Sequence, residues 1–174
     1  MSGHNKYSQI KDRKGAQDAK KSAVYTKMLA LVAVAAKQNP NPDNNPRLRA
    51  AIERAKEAKV PLENIERAVN KAAEAKNLED VLIEAYGPEG VGMLVEGITD
   101  NSNRTISEIR HLLDENGAKM ANQGSVQWSF EKVNNNWQMK FAQPVSESGK
   151  KQLQGLIEKI EEHNDVQRVI TNAQ

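Results

Sequence analysis

No cysteine occurs in the chain, which removes a disulfide framework, a thiolate nucleophile and any Cys-containing zinc site, and suits a reducing compartment such as the cytoplasm. Aromatic residues are scarce at 4%, so helices in the Ala-, Lys- and Glu-rich first half must pack through Ala, Leu, Ile and Val around a thin core. Long hydrophobic runs are absent too: the longest apolar stretch, Met28–Ala36, is too short to cross a bilayer. The charged N-terminus has no hydrophobic segment or small-residue cleavage site behind it, so neither membrane association nor export is expected. The three histidines, His4, His111 and His163, fall in separate segments, which argues against a metal site. Glu96 or Asp100 near Arg104 offers the best acid–base case, but no paired base, nucleophile or Gly-rich phosphate loop accompanies them. An enzyme, a cofactor and a small-molecule substrate are therefore not expected.

The near-neutral total of +2 conceals two opposite halves. Residues 1–76 hold 16 Lys+Arg against 8 Asp+Glu, and residues 77–174 hold 9 against 15, giving +8 and −6. A polyanion-binding end and a scaffold end are expected, and a length of 174 residues allows one domain or two. We place the boundary at 76/77.

A helix is predicted from about Lys14 to Lys37, where Ala16, Ala19, Ala23, Leu29, Val32 and Ala36 recur at helical intervals. Asn39–Asn45 supplies successive breakers, and Asn45 followed by Pro46 is an N-cap with proline at the first helical position, opening a helix over 47–59. Leu62, Ile65, Ala68, Val69 and Ala72 outline a third helix ending near Lys76. Beyond residue 77, Val81–Tyr86 and Val91–Ile98 read as a hairpin about Gly87–Gly90, and Thr105-Ile106-Ser107-Glu108 has capping-box spacing for a helix that Gly117 ends. Val126–Phe130 and Trp137–Phe141 alternate with period two as a second hairpin, with Trp128 and Phe130 both assigned to the core. A helix with Leu153, Leu156, Ile157 and Ile160 and a strand over 166–170 complete the order ββαββαβ. The expected fold class is α+β: an N-terminal three-helix domain followed by a ferredoxin-like sandwich with two helices on one face of a sheet.

The candidate nucleic-acid-binding residues lie mostly at the front of the chain. Lys6, Lys11, Arg13, Lys14, Lys20, Lys21 and Lys27 are suited to neutralising phosphates and releasing counterions, and His4 stands beside Lys6. Tyr7 offers a ring for stacking on an unpaired base, or an anchor for the tail. Arg47 and Arg49 ride the first turn of the second helix. Arg104 is a further anion candidate, or else a partner for Asp100. Neither a helix-turn-helix with polar readers nor an RNP-type sheet is evident, so base-specific readout has little support. An adaptor that binds protein through the acidic half is another reading of the same charge pattern.

These motifs carry a resemblance. Gly3-His4-Asn5-Lys6-Tyr7, Ile10-Lys11, Asp18, Lys27 and Asn45–Ile52 resemble the YebC/PmpR family, whose members include a mitochondrial translational activator. Tyr86-Gly87-Pro88-Glu89-Gly90-Val91, Thr99–Thr105, Gly124-Ser125-Val126 with Trp128 and Phe130, and Asp165–Val169 continue it in order over nearly the whole chain. The family usually has Ser and Trp where Asn5 and Tyr7 stand, Phe at Tyr25, and a Gly-rich loop at 39–44. Its members normally insert a further domain where this chain has only 134–148, so the sequence looks like a two-domain short form. The resemblance implies a nucleic-acid-binding regulator of gene expression, described for some members as a DNA-binding transcriptional regulator and for others as a ribosome-associated translation factor. Holding phosphates without reading base edges suits structured RNA, so ribosomal RNA and the ribosome are the preferred partners, with DNA as the alternative. A monomer is expected.

Overall fold

The computed structural model describes residues 4–72, 77–134 and 136–174, with side chains from residue 16 onward. The chain packs as two compact units, Met1–Lys76 and Asn77–Gln174.

The first unit is three helices, α1 (His4–Ala36), α2 (Pro46–Glu57) and α3 (Leu62–Asn70). Helix α1 begins ten residues before the expected Lys14, because Lys, Gln and Arg propagate a helix readily and the single Gly15 costs only about 1 kcal/mol. The basic lead is therefore part of the helix rather than a tail ahead of it. Helix α2 stops at Glu57, short of the expected Lys59, which takes φ +63°. Val60 then donates to Ala55 O at 3.0 Å and Lys59 to Lys56 O at 2.9 Å, a Schellman closure with lysine where glycine is usual. Helix α3 ends at Asn70, where Ala72 turns back into the core.

That core consists of Val32, Ala35 and Ala36 of α1, Leu48, Ala51 and Ala55 of α2, and Val60, Ile65 and Ala72. Five of these nine are alanine, so the helices approach closely and little apolar surface is buried per residue. The thinness puts weight on the connection between α1 and α2. Asn45, itself buried, accepts from Leu48 N at 3.0 Å as the N-cap of α2. Its amide also donates to Ala35 O at 2.8 Å and Asn39 O at 2.7 Å, so one side chain closes the end of one helix and opens the next.

The second unit is an α+β sandwich. Strands β1 (Glu79–Tyr86), β2 (Gly92–Thr99), β3 (Lys119–Met120) and β6 (Val166–Thr171) form one sheet in the order β3-β1-β2-β6, every pair antiparallel. Helices α4 (Ser102–Glu115) and α5 (Glu147–Glu161) cover one face. Ile83, Ala85, Met93, Val95 and Val166 of the sheet meet Ile109 and Leu113 of α4 and Leu153, Leu156 and Ile160 of α5 there. On the other face Leu94 packs with Val126, Phe130, Trp137 and Ile170.

Two features differ from the expected order. The second hairpin, β4 (Phe130–Val133) with β5 (Asn136–Met139), does not join the sheet but forms a separate ribbon, and β3 takes the edge place beside β1. The expected strand over Val126–Phe130 is replaced by a single 3-10 turn at Gln127–Ser129 followed by β4. The α4 capping box is also shifted. Asn101 is the N-cap, accepting from Arg104 N at 3.1 Å, and Thr105 sits fully buried one turn inside.

Aspartate normally caps a helix as well as asparagine does. Asn45→Asp keeps the acceptor for Leu48 N but loses both donated bonds and sets a carboxylate oxygen against two carbonyls. We expect it to lower stability by about 2–3 kcal/mol, read as a fall in the urea midpoint at unchanged slope; an Asp variant as stable as the parent would show that the amide bonds to Ala35 and Asn39 contribute nothing.

Candidate nucleic-acid interface

The basic candidates of the first unit concentrate on α1. Lys6, Arg13, Lys20 and Lys27 recur at seven-residue intervals. On a helix of about 3.6 residues per turn each lies within roughly 20° of its predecessor, and about 10 Å further along. The backbone thus sets four basic positions in one slowly turning row, with Lys14 and Lys21 alongside. The side chains of His4, Lys6, Tyr7, Lys11, Arg13 and Lys14 lie outside the described residues. Of the others, Lys20 and Lys21 are exposed and Lys27 is half-buried. Every residue from Ala16 to Ser22 is exposed, so this part of α1 presents all its faces to solvent before Val32–Ala36 enters the core. A helix polar all round gains nothing from packing, and its lysines are open to a polyanion.

Several cations are already engaged. The Lys21 ammonium stands 5.6 Å from the centre of the Tyr25 ring, whose hydroxyl donates to Lys59 O at 2.5 Å. Arg49 donates through Nη1 to Pro42 O at 2.7 Å and Asp43 O at 2.8 Å, tying α2 to the preceding turn. Arg47 is half-buried in the first turn of α2.

Arg104, in the second unit, is not the open anion site entertained for it. Its Nη2 donates to Asp100 at 2.8 Å and to Asp165 at 2.9 Å, and Nε lies 3.9 Å from Glu108. Hydrogen bonds to Asp165 and Asp100 push the guanidinium pKa up. Burial alone raises the Asp165 carboxyl, but hydrogen bonds from Thr105, Arg104 and Thr99 outweigh it and hold the group below the ordinary aspartate value. Thr105 Oγ1 reaches Asp165 at 2.6 Å, and that contact draws Thr105 inside the helix rather than to its cap. His163 and Glu108 join the same network at 2.9 Å, so one histidine does find carboxylates although the three are scattered in sequence. Donor atoms of Glu108, His163 and Asp165 lie within 4.8 Å of one another. The arrangement suits an ion network better than a cation site: Arg104 already supplies the positive charge, and His163 Nδ1 accepts from Asp165 N at 3.2 Å, leaving Nε2 to donate to Glu108.

Sequence reasoning missed Glu84. It alternates with Leu82 and Tyr86 along β1 and so reads as a surface residue, yet only 3% of it is exposed. Its carboxylate accepts from Gly124 N at 2.5 Å, Gln127 Nε2 at 2.6 Å, Val126 N at 2.7 Å and Gln127 N at 3.0 Å. Desolvation raises its pKa, but the bonds from Gly124, Gln127 and Val126 together prevail and lower it. The backbone amides of Val126 and Gln127 would otherwise have served a strand over 126–130. The turn they form instead rotates Trp128 outward while Phe130 stays buried, which corrects the assignment of Trp128 to the core.

The architecture defines the class: a basic helical unit joined to an antiparallel α+β sandwich stabilised by internal carboxylates. The sequence model of the TACO1/YebC protein N-terminal domain matches residues 5–75, and that of the TACO1/YebC second and third domain matches residues 78–136. The chain belongs to the TACO1/YebC family. It is 48% identical over 136 residues to a protein of Fervidobacterium nodosum, covering 76% of this chain and 54% of that protein. A Kosmotoga olearia protein is 51% identical with the same coverage, and one from Solibacter usitatus 41% identical over 160 residues, 90% of this chain and 62% of that protein. All three carry the name probable transcriptional regulatory protein. The chain thus spans little more than half the length of most of these relatives. The crystal structure of the conserved hypothetical protein Aq1575 from Aquifex aeolicus superposes with a TM-score of 0.81 at 29% identity, covering 90% of this chain and 91% of that one.

A carboxylate whose pKa is depressed on folding adds stability above its unfolded pKa and loses it as pH falls through the folded value. Glu84 therefore contributes at neutral pH and ceases to contribute on acidification below the ordinary glutamate range. Glu84→Gln turns an NH2 group towards amide donors, and we expect a loss of about 3 kcal/mol at pH 7 with a shallower acid limb in a stability-versus-pH series. An unchanged acid limb would exclude Glu84 as a titrating support.

Proposed function

We propose that this chain is a non-catalytic, cytoplasmic regulator of gene expression that binds structured RNA, ribosomal RNA in the first place, through the basic face of α1. The observation that carries this reading is the row of basic positions at 6, 13, 20 and 27 on a helix whose residues 16–22 are exposed on every side. Lysines and arginines at that spacing engage phosphates without reading bases, and binding of this kind is set by charge and shape. Lys14 and Lys21 stand about a quarter turn to one side of the row and Lys11 further round the helix; on α2, Arg47 and Arg49 point to different sides of the first turn, and Arg49 keeps guanidinium donors besides the Nη1 held by the preceding turn. Transcriptional regulation through DNA is the second reading, favoured by the names of the relatives. Among the described residues no helix is long and apolar enough to cross a membrane.

The test is sedimentation of the tagged protein from lysate through a sucrose gradient, with DNase, with RNase, and with a variant carrying Ala at Lys11, Arg13, Lys14, Lys20 and Lys21. We expect co-migration with ribosomes that survives DNase, and loss of it in the variant with thermal stability within about 0.5 kcal/mol of the parent, since exposed charges add little to folding. In a purified binding assay the slope of log K against log salt should become shallower by about 0.7–0.9 for each phosphate contact removed. Absence from every ribosomal fraction together with retained duplex DNA binding would replace this function by the transcriptional one.

A further inference from the structure

In a chain with so few aromatic residues, two exposed rings share one carbonyl and a third lies against one of them. Trp128 is 62%, Phe141 49% and Tyr86 40% exposed, although large rings usually lose most of their surface on folding. The indole N–H of Trp128 and the hydroxyl of Tyr86 both donate to Ser125 O at 2.8 Å, so both polar handles are anchored while the ring faces stay open. Trp128 and Phe141 are neighbours, with ring centres 5.6 Å apart and planes at 42°. The backbone under them is fixed. Glu84 holds the Gly124–Gln127 segment from below, Lys140 N and Phe141 N donate to Ser129 O at 2.9 and 3.1 Å, and Asn172 Nδ2 donates to Phe141 O at 3.0 Å.

The surroundings are cationic even though the unit is acidic overall. The Lys140 ammonium stands 5.4 Å from the Phe141 ring, and Lys119 pairs with Tyr86 across β1 and β3. An aliphatic protein surface docking here would have to desolvate these ammonium groups without replacing their hydration. An unpaired nucleotide provides both halves of what the surface lacks, a base for the rings and a phosphate for the lysines.

We infer that Trp128 and Phe141, with Lys140, form a stacking site for unpaired bases of single-stranded RNA, a contact on the second unit additional to the phosphate-binding helix. The inference rests on the reading that the protein binds RNA. Duplex RNA, whose bases are already stacked, is excluded from the site.

Trp128 reports on itself once the only other tryptophan is replaced. Trp137 is suited to replacement, because its indole N–H is buried with no acceptor among the described residues and Trp137→Phe loses no hydrogen bond. The Trp137→Phe protein is titrated with an oligouridylate of about a dozen nucleotides and with a duplex of equal length, following tryptophan emission. We expect quenching by the single strand and none by the duplex. Trp128→Ala in the parent should weaken oligouridylate binding roughly tenfold, and Trp128→Phe, which keeps a ring, should restore most of it. RNA binding with unchanged emission and unchanged affinity of Trp128→Ala would overturn the stacking site and leave the proposed function standing. No RNA binding by any form of the protein would remove both. Emission that changes with protein concentration alone, and not with oligonucleotide, would also overturn the proposal, making the face a contact between copies of the chain.

Discussion

A carboxylate can leave water only where donors replace the hydration it gives up, and in the second unit Glu84 meets that condition by reorganising the chain around it. Its four donors come from Gly124, Val126 and Gln127, three residues within one short segment, so satisfying the charge dictates the path of that segment. Gly124 adopts φ +84°, a conformation glycine enters without the clash a side chain would bring. The turn that follows faces Val126 and Phe130 inwards onto Leu94 and leaves Trp128 outside. One buried charge thus decides that the ribbon lies over the sheet instead of extending it.

The same device recurs. Glu89, at φ +55° in the β1–β2 turn, accepts from Ser146 N at 2.9 Å and from Ser146 Oγ at 2.5 Å, while Ser146 caps α5 by accepting from Gly149 N at 3.0 Å. A Cβ on Gly149 would stand 2.6 Å from the Glu89 carboxylate, so a side chain there would push that carboxylate off Ser146. Asp165 joins the start of α4 to the entry of β6 through Thr105 and Arg104, and its own carbonyl accepts from Ile98 N at 2.8 Å beside Gly97. All three carboxyls have depressed pKa values, and all three act as fasteners between segments distant in sequence. The acidity of the second unit is therefore partly structural. An adaptor function cannot be argued from its net charge alone, because some of that charge is committed inside the unit.

What the sequence made legible follows the range of the forces involved. The cap at Asn45 with Pro46, the hairpin about Gly87–Gly90, the end of α4 at Gly117 and the apolar stripe of α5 depend on neighbours within a few residues, and each is present. The errors lie where a distant partner prevails over local preference. Val126–Phe130 has strand periodicity, but the amides of Val126 and Gln127 serve a glutamate 42 and 43 residues earlier. Thr105 and Glu108 have capping-box spacing, but Asp165, 60 residues away, takes the threonine. Asn45 was legible as an N-cap and not as the closure of α1, since nothing local announces the bond to Ala35. At the candidate interface the basic residue types were plain, whereas their seven-residue register acquires meaning only once the helix is known to start at His4.

The two surfaces differ in the kind of selectivity their chemistry allows. A row of cations along one helix responds to phosphate density and to salt, and it accepts duplex or single strand with little preference. Rings held with their faces open respond to bases free of a partner, whatever their identity. Neither chemistry reads sequence, so on the proposed reading a preference for a target would arise from its shape: phosphates spaced to meet several cations of α1, and nucleotides left unpaired. Folded RNA combines these features routinely, with helical stems beside loops and bulges, and a continuous DNA duplex does not. On that ground the proposed functions diverge physically, because the inferred second surface would add binding free energy only on a target that exposes its bases.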